Sequence, residues 1–317
     1  MKKSDFFIFI VWRGGEKKSM KSHLYIIQGG KRVELKIENL SKTYRNKQAL
    51  TNINLILKPG IYGLLGENGA GKSTLMRILT TVDFPSEGKV TFNGEEITKL
   101  DEAYRDIIGY MPQDYNVYSK FTAKDFLEYI GTLKGIPKEE LDRKINEVLS
   151  FVNLSDVANK KVKSFSGGMK RRVGIAQAIL NDPKIIIFDE PTAGLDPKER
   201  LRFSNIISQM AKNKIVILST HILSDIEAIA NDLIIIKKGE VIEFDKIERL
   251  IERVKGQVWE TVIDQETLGE LSQVRQVVHR KQEDQFIRVR YVGDCYPNSQ
   301  SISLEPSLED YYTSTCL

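Results

Sequence analysis

Apolar and polar residues alternate with period two over Val33-Glu34-Leu35-Lys36-Ile37, the signature of a half-buried strand, so the folded region is expected to begin near Arg32. Residues 53–57 predict a second strand, closed by Lys58-Pro59-Gly60. Residues 61–65 predict a short buried strand that runs into a glycine-rich loop, with a helix starting at Lys72. Further apolar runs at 107–111, 185–188, 215–218 and 233–236 are separated by segments of helical period. Strands that are apolar on both faces and joined by helical crossovers build a parallel sheet, which makes the fold class α/β. After Lys246 the chain turns polar, and a small accessory region is expected over 248–317. Within it, 257–260 and 286–291 read as strands, and 281–284 and 297–303 as loops.

A chain of 317 residues suggests about two domains. Its 41% hydrophobic and 28% charged residues are ordinary for a folded globular protein. Cys295 and Cys316 form neither CxxC nor Cys/His spacing, which excludes a disulfide framework and a zinc site and fits a reducing cytoplasm. No apolar run approaches the ~20 residues that span a bilayer. Residues 6–12 are too short, and Arg13-Gly14-Gly15-Glu16 stand where a signal peptide would carry small-residue cleavage chemistry.

Charge is unevenly placed. The net value is +4, yet residues 1–36 hold nine Lys and Arg against Asp5, Glu16 and Glu34, leaving the rest at −2. A nucleic-acid binder concentrates positive charge on its folded domain, so nucleic acid is not an expected partner. Residues 1–31 read as a basic, disordered extension, with Met20 as another start, and contact with an anionic membrane surface is the other reading.

The first chemistry lies in Gly66-Glu67-Asn68-Gly69-Ala70-Gly71-Lys72-Ser73, which fits GxxxxGK[ST] between a predicted strand and a predicted helix. Glycines let backbone N–H groups close around phosphate oxygens, and the helix starting at Lys72 aims its positive end at the same anion. Lys72 is expected to neutralise the β- and γ-phosphates and the Ser73 hydroxyl to ligate Mg²⁺, with Thr74 extending the donor set. A second constellation ends the run Ile185-Ile186-Ile187-Phe188 with Asp189 and Glu190, two carboxylates delivered by a buried strand to the sheet edge where ligands bind. Asp189 suits the Mg²⁺ sphere, and Glu190 is the candidate general base that polarises an attacking water.

The order of these motifs resembles the nucleotide-binding domain of ABC transporters over about residues 33–245. Ser166-Gly167-Gly168-Met169-Lys170 resembles the family's signature, with Phe165 in place of leucine and Met169 in place of glutamine. The resemblance implies a P-loop NTPase with a parallel-rich central sheet, a β-subdomain, a helical signature subdomain and a small C-terminal accessory region. It implies boundaries at 1–31 for the extension, 32–247 for the ATP-binding domain and 248–317 for the accessory region. It assigns Tyr44 to stacking on adenine, Gln113 to Mg²⁺ or the attacking water, and Ser166, Gly167 and Gly168 to the ATP of a partner subunit. It further assigns Asp196, in Ala193-Gly194-Leu195-Asp196, to the dimer interface and His221 to the γ-phosphate. His23 and His279 match no motif.

With one phosphate loop and one signature per chain, the resemblance implies a dimer that sandwiches ATP and closes on binding. The expected activity is ATP hydrolysis with Mg²⁺, coupled to export through a separate integral membrane permease, which places the chain on the inner face of the cell membrane. The segment 114–127, with Tyr115, Tyr118 and Phe121, is the expected permease contact, core packing being the other reading of those aromatics. The alternative function is a soluble ABC-type ATPase acting on a cytosolic assembly. A chromosome or repair ATPase of similar head chemistry would need long coiled-coil arms, and no sustained heptads lie between Lys72 and Asp189.

Overall fold

The computed structural model describes residues 33–113, 118, 120–295 and 301–316. The expectations for residues 1–31, Asp114 and Tyr115 lie outside the described residues. Two compact units are present. One runs through His221 and takes in Leu233–Phe244; the other joins Ile222–Asp232 to the chain from Asp245 onward. The second unit thus includes 222–232, a piece that the sequence reading kept with the ATP-binding region.

In the first unit, β1 (Leu35–Tyr44) and β2 (Lys47–Leu57) form an antiparallel hairpin. They join β4 (Glu87–Phe92) and β5 (Glu95–Glu96) in a sheet of order β2-β1-β4-β5. Alternation buries Leu35, Ile37 and Leu40 on one face. Both hairpin strands are longer than the pattern predicted, because the register shifts after Ile37 and Asn39 and Asn52 sit at φ 48°. Asparagine tolerates that left-handed backbone, and each irregularity resets the alternation that sequence reading relies on.

A six-stranded sheet follows, in the order β10-β9-β3-β8-β7-β6. It contains β3 (Gly60–Leu65), β6 (Ile108–Met111), β7 (Ile185–Asp189), β8 (Ile215–Ser219), β9 (Asp232–Lys237) and β10 (Glu240–Lys246). Strands β3, β8, β7 and β6 run parallel. Ile185, Ile186, Ile187 and Phe188 are wholly removed from water, each burial worth about 1.5–3 kcal/mol. Parallel neighbours bring the carboxyl ends of β3, β7 and β8 to one edge, where the phosphate loop, Asp189-Glu190 and Ser219-Thr220-His221 emerge.

Helix α1 (Lys72–Leu79) starts in the phosphate loop and buries Leu75, Met76, Ile78 and Leu79. A helical region holds α2 (Ala123–Leu133), α3 (Lys138–Phe151) and α4 (Gly167–Ile179). Helix α2 opens with a reciprocal Thr122/Asp125 capping box. Helix α5 (Pro197–Met210) is capped by Asp196, with proline in its first turn, and packs Phe203 edge-on to Phe188 at 5.8 Å.

The second unit contains α6 (Leu223–Ile229), α7 (Ile247–Glu252), α8 (Gln265–Val274) and α9 (Leu308–Cys316). Its antiparallel sheet has the order β12-β13-β11-β14, from β11 (Val258–Ile263), β12 (Gln276–Glu283), β13 (Phe286–Val292) and β14 (Ile302–Ser303). Ile263, Ile287, Val289 and Tyr291 pack with Leu268 and Leu271 of α8 in a separate small core. The loop expected at 281–284 is corrected: Lys281, Gln282 and Glu283 pair with β13, and the turn is confined to Asp284 and Gln285. Their polar side chains disguise a strand exposed to water. Ile302 and Ser303 are likewise paired, with β11, rather than loop.

Candidate functional site

A cavity of about 250 Å³ is lined by Tyr44, Lys47, Ala49, Asn68, Gly69, Gly71, Lys72, Ser73, Thr74, Gln113, Asp189 and Glu190. Residues separated by up to 146 positions in the chain, from Tyr44 to Glu190, therefore share one wall.

The loop is built by glycine where other residues do not fit. Gly66 has φ +151° and a Cβ there would lie 2.2 Å from the Ile236 carbonyl oxygen, while Gly71 has φ +118° and a Cβ would lie 2.8 Å from that of Ala49. Gly66, Glu67 and Ala70 do not line the cavity. The Gly66 and Glu67 carbonyls accept hydrogen bonds from Lys72 Nζ at 2.5 and 3.1 Å, and the buried Ala70 accepts one from Gly239 N at 2.8 Å. Burial lowers the Lys72 pKa, and the negative charges of Glu190 and Asp189 oppose that shift. Lys72, Ser73 and Thr74 form the first turn of α1, which contains no acidic residue, so its positive end is uncompensated.

Asp189 and Glu190 are both buried. Ser219, opposite Asp189 in the β7–β8 register, donates its hydroxyl to Asp189 Oδ1 at 2.7 Å. Its Oγ and its carbonyl accept from the Glu190 N–H at 3.0 and 3.1 Å. Glu190 is held at φ 49°, a strained conformation for a non-glycine residue, and Ser219 is what holds it. His221 Nδ1 lies 2.9 Å from Glu190 Oε2, and with the carboxylate ionised the ring nitrogen is the donor. The imidazole is 66% exposed against 11% for the glutamate side chain, so the pair bridges solvent and the buried carboxylate.

Tyr44 stands at the end of β1, its hydroxyl donating to Asp83. Gln113 is exposed at the cavity rim. Ser166 caps α4 by accepting from Met169 N at 3.2 Å, and Ser166 and Gly167 are exposed. None of Ser166, Gly167 and Gly168 lines the cavity, and a Cβ on Gly168 would lie 2.6 Å from Glu199 Oε2. Arg171 of the same helix reaches the carbonyls of Gln113 and Ala193, both at 3.4 Å, tying three of the motif segments together.

Sequence reasoning missed Lys47, Ala49, Ser219 and Asp83. Ser219 was within reach, since it ends an apolar run as Asp189 does and the two runs are neighbours in a parallel sheet. Lys47 carried no signal, being one of many basic residues on a polar hairpin.

Ser73, Gln113 and Asp189 place a hydroxyl, an amide and a carboxylate around one cavity, hard oxygen donors that fit Mg²⁺. Among the described residues no group of three or more His, Cys, Asp and Glu could hold a metal unaided. The arrangement can grip a polyphosphate at a helix terminus and present an oriented carboxylate beside it.

Residues 50–193 match the family described as ABC transporter. The uncharacterized ABC transporter ATP-binding protein YxlF of Bacillus subtilis (strain 168) is 37% identical over 240 residues, covering 75% of this chain and 80% of that protein. The Nod factor export ATP-binding protein I of Cupriavidus metallidurans is 34% identical over 224 residues, covering 70% of this chain and 74% of that protein. Among solved structures, a dimeric post-hydrolysis ATP-binding cassette bound to ADP and Pi superimposes with a TM-score of 0.61 at 31% identity. It covers 67% of this chain and 98% of that one. A phosphate-gripping loop, a buried carboxylate pair and this level of identity carry one conclusion: the chain belongs to the ATP-binding cassettes of ABC transporters and is an ATPase.

Proposed function

We propose that this ATPase powers export through a separate membrane permease, working as one half of an ATP-sandwiching dimer on the inner membrane face. The observation that carries the dimer is the separation of its phosphate-binding parts: Lys72, Ser73, Asp189 and Glu190 share a cavity, and Ser166 and Gly167 stand exposed elsewhere on the chain. A second subunit, identical or not, would bring its Ser166, Gly167 and Gly168 to that cavity. The cassette dimer among the structural relatives supports this reading, and the relative named for Nod factor export supports the direction. Among the described residues no helix is long and apolar enough to cross a membrane.

In this reading Tyr44 stacks on the adenine, and the backbone of Gly66, Glu67, Asn68, Gly69, Ala70 and Gly71 wraps the phosphates. Lys72 pairs with the β- and γ-phosphates, and Ser73, Thr74 and Asn68 add donors. Ser73, Gln113 and Asp189 would hold Mg²⁺, which would supply positive charge to offset that of the phosphate oxygens. Glu190 accepts a proton from a water as the water oxygen bonds to the γ-phosphorus and the bond to the β–γ bridging oxygen breaks. His221 donates to Glu190 Oε2, which keeps the carboxylate aimed and leaves Oε1 to the water. Tyr118 and Phe121, tilted at 42° with ring centroids 5.4 Å apart and both edge-on to Tyr129, form the contact surface for the permease.

The test is the Glu190→Gln variant in light scattering with Mg²⁺ and ATP. Losing the base leaves binding intact and stalls the closed sandwich, so a dimer is expected with ATP and a monomer with ADP. A variant that binds ATP and remains monomeric defeats the composite site.

A further inference from the structure

Tyr44 is 39% exposed at the tip of a hairpin, where a ring would ordinarily sample several rotamers. Asp83, Lys42 and Thr74 constrain it, Thr74 through a side-chain hydrogen bond to its hydroxyl. Its hydroxyl donates to Asp83 Oδ2, and Lys42 Nζ lies 4.8 Å over the ring centroid. Lys42 is itself fixed, donating to Asp83 Oδ1 at 2.7 Å and to the Phe84 carbonyl at 2.6 Å. Asp83 is anchored in turn: its N–H donates to the Arg77 carbonyl at 3.1 Å, and its Oδ1 accepts from Phe84 N at 2.8 Å. Arg77 NH2 lies 3.8 Å from Oδ2.

Asp83 follows closely on α1, the helix whose first residues are Lys72, Ser73 and Thr74. An eight-residue helix is about 12 Å long, so one rigid rod links the phosphate grip to the acid that holds the ring. Tyr44 lines the cavity and Lys42 does not, so the ring, and not the cation over it, is the group this end of the site offers to a base.

We propose that Asp83 is a positioning residue for the base-binding end of the site, its carboxylate tethering the Tyr44 hydroxyl so that the ring is already oriented when a purine arrives. This rests on the reading of Tyr44 as the base-stacking residue. Pre-orientation removes a rotamer cost from nucleotide binding and leaves the phosphate contacts untouched. The carboxylate remains ionised at neutral pH: burial alone would raise its pKa, and hydrogen bonds from Lys42 and Tyr44 hold it below the usual value.

The experiment measures dissociation constants of the full chain for MgATP and for magnesium tripolyphosphate, which engages the phosphate loop without a base. Tyr44→Phe, Asp83→Ala, their double variant and Tyr44→Ala are compared with the parent. Tyr44→Phe and Asp83→Ala are each expected to weaken ATP about three- to tenfold with tripolyphosphate unchanged, and the double variant to be no weaker than the worse single. If Tyr44→Ala weakens ATP but Tyr44→Phe binds like the parent, the tether is overturned and base stacking stands. If Tyr44→Ala also binds like the parent, the stacking reading fails and the proposal with it. Should Asp83→Ala lose tripolyphosphate too, Tyr44→Phe decides together with Thr74→Val, which removes the other side-chain partner of the hydroxyl: the tether to Asp83 stands if Tyr44→Phe weakens ATP by the same factor in the Thr74→Val background as in the parent, and is overturned if the Tyr44→Phe effect vanishes in that background.

Discussion

Ser219 holds two functional groups with one side chain, donating to Asp189 Oδ1 and accepting from the Glu190 N–H. Ser219 is wholly buried, so Ser219→Ala removes both bonds with no water to replace the hydroxyl, a loss of about 1–3 kcal/mol. Steady-state ATPase activity is expected to fall about tenfold or more, with ATP binding by equilibrium dialysis retained. Gly66→Ala acts differently, because its methyl would meet the carbonyl of a buried strand that cannot retreat. About 2 kcal/mol of destabilisation is expected, read as a lowered melting temperature together with lost nucleotide binding. The phosphate loop and the carboxylate pair were legible in the sequence because each is a contiguous string whose chemistry follows from residue type. Asp83 was not, since it acts through a partner 39 positions away in the chain.

At the scale of elements, long apolar strands such as β7 and β8 were readable and the hairpin was only half so. Bulges at left-handed asparagines broke its alternation, and the polar strands β4, β10 and β12 gave no apolar run to find. The second unit relies on a contact no pattern reveals. Asp310, fully buried on α9, pairs bidentately with Arg290 of β13 at 2.7 and 2.6 Å and accepts from Ser307 N and Oγ. Burial works to raise the Asp310 pKa, yet these donors hold it below the usual carboxylate value. A depressed folded-state pKa contributes stability that is present above the unfolded value near 3.8 and lost as pH falls through the folded one. Acid unfolding of the full chain is therefore expected to begin below about pH 4 at this pair. Asp310→Ala is expected to flatten that limb and to cost about 3 kcal/mol at neutral pH, by denaturant titration with circular dichroism.

For the molecule as a whole, the proposed function sets this chain in a complex with a membrane permease. The family, the fold and the ATPase activity follow from this chain alone. Co-purification with an integral membrane protein from detergent extracts is the expected outcome of tagging this chain. Tyr118→Ser combined with Phe121→Ser is expected to lower that recovery with ATP affinity retained, by pull-down and calorimetry.

The closeness of Gly66 to the Ile236 carbonyl, together with the Gly239 N–H bond to Ala70, has a consequence for synthesis from the ribosome. The phosphate loop is translated early, but a wall of it arrives some 170 residues later, on β9 and the turn after it. A nascent chain that has exposed Lys72, Asp189, Glu190, Ser219 and His221 holds these site residues and lacks the backing that shapes the loop. Competence to grip nucleotide therefore switches on late in translation, and fragments stopped before residue 233 are expected to retain no ATP in filter binding.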